Sequence, residues 1–269
     1  MEFTTLNTGV KIPLIGTGTN TYGKLDKRYD AEITGDTSEL EAAIAAGYRL
    51  IDTAISYRNE SVIGDAVRKS GVDREEFFLT SKIPGSPEHT ASREKVEESI
   101  ADSLAKLQTD YIDLYLIHHP WDNLGEMVEV WKVLEEYVDQ GVFRAIGVSN
   151  FDENQLEYLI DNARIEPAVN QVQSHAGHWN HEVIAFGKKH GIVSEAWGPL
   201  SRVSDEARAK LSAIGEGYNK SWAQVSLRYQ IQEGIVVIPK SQDVDRQKDN
   251  LDLFDFELSE DEMAEIAAL

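Results

Sequence analysis

Four side chains in the first half of the sequence have the types needed to move a proton to an oxygen. Asp52 and Tyr57 lie in LIDTAISYRNE (50–60), Lys82 in FFLTSKI (77–83) and His118 in IDLYLIHH (112–119). Asp52, Lys82 and His118 each stand at the end of an apolar run that reads as a buried strand. A buried carboxylate is costly unless a cation or strong hydrogen bonds hold it, so Asp52 needs a partner, and Lys82 on the next strand can be one. A phenol normally titrates at about 10. An ammonium beside it favours phenolate, so a lowered value is expected for Tyr57. The phenol then becomes a usable donor to an oxygen gaining negative charge, and a usable acceptor in reverse. His118 can hydrogen-bond the same oxygen. The set suits carbonyl reduction, with hydride delivered to carbon and a proton to oxygen. No side chain supplies hydride, so a cofactor is expected.

The candidates for holding that cofactor lie late in the chain. VIPKSQDVDRQKDN places Lys240 and Ser241 at the end of the last strand candidate, with Arg246 six residues beyond the lysine. Two cations, a hydroxyl and a helix N-terminus read as an anion cradle. Trp197, in SEAWGPLS, offers a flat face on which a nicotinamide ring could stack; a core or rim tryptophan is the other reading.

These residues need elements to carry them. Strand-like runs occupy 13–18, 48–54, 77–83, 112–119, 143–150, 168–173, 192–197 and 235–240, and amphipathic helix patterns fill the gaps. In 92–107, apolar residues recur at 96, 100, 104 and 107, one helix face. The pattern over 124–141 stops at Gly141, a helix-ending glycine. Strand–helix units of this length imply parallel strands with right-handed crossovers. Eight of them predict a (β/α)8 TIM barrel, with a doubly wound open sheet as the alternative. GTGTNTYG (16–23) lacks the glycine spacing of the dinucleotide fingerprint. TTLNTGVKIP reads as a hairpin turning at Asn7-Thr8-Gly9 and capping the barrel bottom. In such a barrel functional groups sit at the C-terminal strand ends. Those ends read Asp52, Lys82, His118, Ser149 and Asn150, Gln171, Trp197, Lys240 and Ser241. One such residue is usually a turn former or cap; a run of them around a barrel points to a site.

Composition narrows the classes. A chain of 269 residues, 41% hydrophobic, fits one barrel domain spanning 1–269. Without cysteine there are no disulfides, thiolate metal sites or cysteine nucleophiles. The N-terminus shows no signal-peptide pattern and no segment is apolar enough to span a membrane, so a cytoplasmic protein is expected. A net charge of −21 argues against nucleic acid and anionic membranes as partners. It is spread along the chain, which reads either as adaptation to high salt or as an ordinary acidic surface. A monomer acting on a small carbonyl compound is the default.

Taken together, the segments resemble the aldo-keto reductase family over nearly the whole chain. DTAISYRNESVIGDAV, TSKI and DLYLIHHP resemble the family's catalytic segments, and GVSNF, VNQV, AWGPL and VIPKSxxxxR…N its cofactor-binding segments, in the family's order. The resemblance implies that Tyr57 is the acid, tuned by Lys82 and Asp52, with His118 orienting the carbonyl. It implies NADPH as cofactor. Ser149, Asn150 and Gln171 would hold the nicotinamide carboxamide, and Trp197 would stack on the ring. Gly18 and Thr19 would lie near it, and Gly198 and Leu200 on the pyrophosphate path. Lys240, Ser241 and Arg246 would grip the 2′-phosphate, with Asp249, where glutamate is commoner, and Asn250 at the adenine. Residues 21–36 form a longer loop than usual, expected to roof the substrate mouth. The chain ends at Leu269, where many relatives continue into a tail over the pocket, and a more open site is expected.

The same sequence carries other readings. His175, His178 and His181 would share a face if helical and could then bind zinc, but Gly177 and Asn180 suggest a loop and a cap, and no metal is expected. His119 reads as a rim residue of the substrate mouth, and Trp121 as an apolar substrate wall or loop packing. No GxSxG elbow supports a hydrolase. A cofactor-binding sensor or regulatory subunit would need only the cradle; the set of Asp52, Tyr57, Lys82 and His118 favours an enzyme.

Overall fold

Short β-branched runs alternate with capped amphipathic helices, and the chain closes them into a barrel. The computed structural model describes residues 1–269. A hairpin comes first: β1 (Phe3–Thr5) pairs antiparallel with β2 (Lys11–Pro13). Its turn is closed by Leu6 N–H on Val10 O and Gly9 N–H on Leu6 O, and Gly9 takes φ +82°, which glycine adopts without strain.

Eight parallel strands follow in sequence order around the sheet: β3 (Gly16–Gly18), β4 (Leu50–Asp52), β5 (Phe78–Ile83), β6 (Ile112–Ile117), β7 (Phe143–Ser149), β8 (Val169–Gln173), β9 (Val193–Trp197) and β10 (Val236–Ile238). Ile15 and Val237 close the ring as a parallel bridge, with Val237 N–H 3.0 Å from Leu14 O. The helices are α1 (Ser38–Ala46), α2 (Glu60–Lys69), α3 (Pro87–Thr90), α4 (Arg93–Leu107), α5 (Leu124–Asp139), α6 (Glu153–Asn162), α7 (His181–Lys189), α8 (Asp205–Glu216), α9 (Trp222–Gln232), α10 (Val244–Leu251) and α11 (Glu260–Ala267). Their starts follow local chemistry. Ser92 accepts from Lys95 N–H, and Asp152 with Gln155, Ser221 with Gln224 and Ser259 with Glu262 form reciprocal capping boxes.

Side chains alternate across each strand. Outward-facing Ile51, Leu79, Tyr115, Ile117 and Ile146 join Leu40, Ile63, Ile100, Trp131 and Leu156 in the layer between sheet and helices. Inward-facing Leu50, Phe78, Val169 and Val236, all first residues of their strands, pack with Leu6 and Ile12 of the hairpin. The hairpin therefore plugs the N-terminal end of the barrel. That plug and the interior packing leave the opposite, C-terminal end as the place where polar groups can face a cavity. A third cluster, including Trp179, Leu211, Val225, Tyr229 and Ile266, ties α8, α9 and α11 together. No helix is long and apolar enough to cross a membrane.

Candidate active site

Period two continues from the plugged interior to the strand ends. Counting inward positions upward, Leu50 leads to Asp52, Phe78 to Lys82, Leu116 to His118, Val169 to Gln171 and Val193 to Glu195 and Trp197. These side chains converge at the C-terminal face. Lys82 is fully buried, and its Nζ donates to Asp52 at 2.7 Å and to Thr53 O at 2.9 Å. Its third reach is the Tyr57 hydroxyl, at 3.4 Å. Gln171 Nε2 donates to Asp52 Oδ2 at 2.8 Å and to Glu195 Oε2 at 2.6 Å. The buried carboxylate of Asp52 thus has the cation and the donors that its burial demands.

Tyr57 is fixed by a single helical turn, Ile55–Tyr57, with its N–H on Ala54 O at 3.0 Å. Arg58 follows with φ +61°, an uncommon conformation for a side-chain-bearing residue, and its guanidinium donates to Tyr29 O and Ala31 O. The 21–36 loop is thereby held over the site: the Tyr29 ring stands edge-on to Tyr57 at 6.0 Å. His118 meets Tyr57 from the other side, edge-on at 5.6 Å, and stacks on His119 at 4.5 Å.

The electrostatics differ from expectation at Tyr57. Burial raises its pKa, and the Lys82 ammonium only partly offsets this, so the phenol is held protonated rather than poised as phenolate. Burial also opposes the charge on Lys82, but Asp52, Tyr57 and Glu195 outweigh it and the lysine stays cationic. Burial, with Lys82 and His119 adding to it, pulls His118 down to about 2, so its imidazole is neutral. Glu195 goes the other way, pushed up to about 8 by burial and by Asp52.

A cleft of about 900 Å³ opens above this network. Asp52, Tyr57, His118 and His119 line it, together with Gly18, Thr19, Ser149, Asn150, Gln171, Trp197, Gly198, Leu200, Lys240, Ser241, Arg246, Asp249 and Asn250. Asn150, at φ +62°, turns its amide inward; Nδ2 lies 3.1 Å from His119 Nδ1, and Oδ1 accepts from Trp197 Nε1 at 2.8 Å. Ser149 Oγ donates to Gln171 O at 3.0 Å. On the far side Lys240 Nζ and Gln242 Nε2 both donate to Thr21 Oγ1, at 3.0 and 2.9 Å, strapping the last strand's loop to the first. Arg208 adds a third cation, its guanidinium 4.8 Å over the Trp222 ring. A flat indole, amide and hydroxyl groups and three cations in a chain of net charge −21 fit a dinucleotide with a phosphorylated end.

Several expectations change. The N-terminus of α10 is not a free anion site: the Asp243 side chain already caps the N–H groups of Asp245 and Arg246. Lys240, Ser241 and Arg246 line the cleft there through their side chains. Trp121 does not line the cleft; its ring lies against Gly85 and packs on the core, because a glycine there leaves room for it. The three histidines do not share a helix face. His175 and His178 pair across a turn, whereas His181 opens α7 with its Nε2 3.3 Å from Ala267 O. The residues that sequence reading passed over are Glu195, Thr21, Arg208 and Asn59, whose amide donates to Thr19 O and Tyr22 O. Glu195 was detectable as the inward position two before Trp197; the others become visible only when distant loops meet.

Comparison with known proteins accords with this geometry. The model of the aldo/keto reductase family matches residues 14–269. The chain belongs to the aldo/keto reductase family. It is 42% identical to a glyoxal reductase of Bacillus subtilis (strain 168) over 264 residues, covering 98% of this chain and 91% of the relative. It is 44% identical over 229 residues to 2,5-diketo-D-gluconic acid reductase B of Corynebacterium sp. (strain SHS752001), covering 85% and 82%. Among solved structures, an aldo-keto reductase complexed with NADPH superposes with a TM-score of 0.88 at 31% identity, covering 99% of this chain and 87% of the other. As in (β/α)8 barrels generally, the cleft opens at the C-terminal end of the eight-stranded barrel.

Proposed function

We propose that this aldo/keto reductase is an NADPH-dependent enzyme that reduces aldehydes and ketones to alcohols, with small dicarbonyl compounds among its substrates. The observation that carries the reading is the Tyr57 hydroxyl, 3.4 Å from a Lys82 ammonium paired to Asp52, at the floor of a cleft that also gathers Lys240, Arg246 and Arg208. The relatives' names, glyoxal reductase and 2,5-diketo-D-gluconic acid reductase, support the substrate class, and the NADPH-bound relative supports the cofactor. A reduced nicotinamide bound in the cleft supplies the hydride to the carbonyl carbon.

The protein's own residues do the rest. Neutral Tyr57 gives its proton to the carbonyl oxygen as charge builds there. Lys82 stabilises the phenolate left behind, and Asp52 keeps Lys82 charged and aimed. Neutral His118 holds the same oxygen by a hydrogen bond and cannot compete as an acid. Ser149, Asn150 and Gln171 would orient the carboxamide of the ring, and Trp197 would give it a face to lie on. Gly18, Thr19, Gly198 and Leu200 follow the cofactor's path. Lys240, Ser241 and Arg246 would hold the 2′-phosphate, and Asp249 and Asn250 would border the adenine.

The test is the carbonyl-dependent loss of NADPH absorbance with a panel of aldehydes and ketones, run on the wild type and on Tyr57→Phe. The variant should bind NADPH as the wild type does, while reduction falls by about 100-fold or more. Full activity without the phenol would remove Tyr57 from the mechanism. Tight NADPH binding with no turnover of any carbonyl would leave a cofactor sensor instead.

A further inference from the structure

The reduction chemistry leaves unused a buried acid that shares the Gln171 amide with Asp52. Glu195 is fully buried on β9, on the inward face two residues before Trp197. Its Oε2 accepts from Gln171 Nε2 at 2.6 Å, and its Oε1 has no partner. The same Nε2 donates to Asp52 Oδ2 at 2.8 Å. One amide thus bridges two carboxyl groups, and both its hydrogens are used. If both acids were ionised, Lys82 alone would face two negative charges in an interior that offers Glu195 Oε1 no donor, an unfavourable state that a proton on Glu195 relieves. The groups around it are few. Asp52 from β4 and Lys82 from β5 carry charge, while Gln171 on β8 and Val236 on β10, its register neighbours, do not titrate. Burial and Asp52 push the Glu195 carboxyl up to about 8, against the opposing pull of Gln171 and Lys82.

We propose that Glu195 is a positioning residue that locks the Gln171 amide and gives up its proton when an oxidised, positively charged nicotinamide occupies the cleft that Gln171 and Trp197 line, so that the site's preference between the two cofactor redox states is linked to proton release. The inference rests on the reading of the cleft as a nicotinamide site. The step balances simply: the Glu195 O–H bond breaks, the electron pair stays on the carboxylate, and the proton passes to solvent. The carboxylate would then offset the positive charge of a ring held in the cleft. A reduced ring is uncharged and leaves the proton in place.

Titration calorimetry of NADP+ and NADPH binding, in two buffers of different ionisation enthalpy near neutral pH, counts the protons directly. The wild type should release on the order of one proton more with NADP+ than with NADPH, and the ratio of their dissociation constants, NADP+ to NADPH, should fall about tenfold between about pH 6 and about pH 8. The 2′-phosphate is common to both ligands and cancels in the ratio. Glu195→Gln keeps an acceptor for Gln171 but has no proton to lose; its proton difference should vanish and its ratio stay level within about twofold. Equal proton release for the two cofactors in the wild type overturns the proposal without any variant, as does an undiminished difference in Glu195→Gln. Failure of the wild type to bind either cofactor removes the functional reading itself, and this inference with it.

Discussion

Tyr57 stands between opposing influences, and their balance sets a testable pH dependence. Burial raises its pKa, Lys82 lowers it and Asp52 raises it, with burial the largest. A raised value means that the acid form persists as pH climbs past the usual phenol range. With Tyr57 as the proposed acid, carbonyl reduction should therefore hold level from about pH 6 to about pH 9 and fall only beyond about pH 10. His118, pulled down to about 2, adds no limb in that window. Alcohol oxidation needs the phenolate and should rise along the same limb. Replacing the ion pair together, Lys82→Met with Asp52→Asn, avoids stranding a buried carboxylate and removes the larger, lowering influence. Oxidation at about pH 9 should then fall more than reduction does, which paired initial-rate profiles would read; equal losses would mean that Lys82 does not act through the phenol. At this scale the pairing of Lys82 with Asp52 and its reach to the Tyr57 hydroxyl were legible in the sequence. The sign of the Tyr57 shift was not, because it depends on how deeply the loop from 21 to 36 and the neighbouring rings enclose the phenol. Glu195 escaped for a related reason: a single acid inside IVSEAW looks like an interruption until its strand is known to face the barrel interior.

Elements divide the work between the two ends of the barrel, and substitutions at each end should separate affinity from stability. At the C-terminal end, Asp243 caps α10, and the proposed 2′-phosphate contacts fall to the side chains of Lys240 and Arg246, which line the cleft. Lys240→Ala and Arg246→Ala should each weaken NADPH about tenfold or more and NADH less than about twofold in fluorescence titrations, since only NADPH carries the 2′-phosphate. Equal losses would remove that assignment. At the N-terminal end, Asp113, second residue of β6, is fully buried and accepts from Arg74 and Arg144 at 2.8 Å each and from Leu79 N–H at 2.9 Å. Asp113→Ala strands a buried N–H and frees two partly exposed cations. Urea unfolding should show a loss of about 2–3 kcal/mol, with kcat/KM of the remaining folded protein unchanged. The strands and most helix starts were legible because period two, period 3.6 and Ser/Asp caps are local signals. The strap from Lys240 and Gln242 to Thr21 was not, since residues 219 and 221 positions apart in sequence meet only when the barrel closes.

Across the whole molecule the dominant fact is charge. With 47 acidic and 26 basic residues, many carboxylates have no cation to face, and an exposed cation can already be shared, as Arg93 is between Glu97 and Glu136. Two effects of salt then compete. Added ions screen repulsion among distant surface carboxylates, which act over the Debye length of about 10 Å in dilute buffer and about 3 Å in molar salt. They also weaken exposed ion pairs, each worth at most about 1 kcal/mol. Contact pairs such as Lys132–Glu129, at 2.6 Å, lie within even the shorter screening length, whereas repulsion summed over a net charge of −21 does not. Relief of repulsion should win. Between low and molar KCl the thermal midpoint should rise by roughly 3–6 °C, the shift that about 1–2 kcal/mol produces in a chain of this size. Scanning calorimetry across a KCl series, with an uncharged osmolyte at matched osmolarity as control, makes the measurement. A rise specific to KCl identifies a surface adapted to salt. A level or falling midpoint means that the acids are spaced widely enough for water alone to solvate them, and the composition is then that of an ordinary acidic protein.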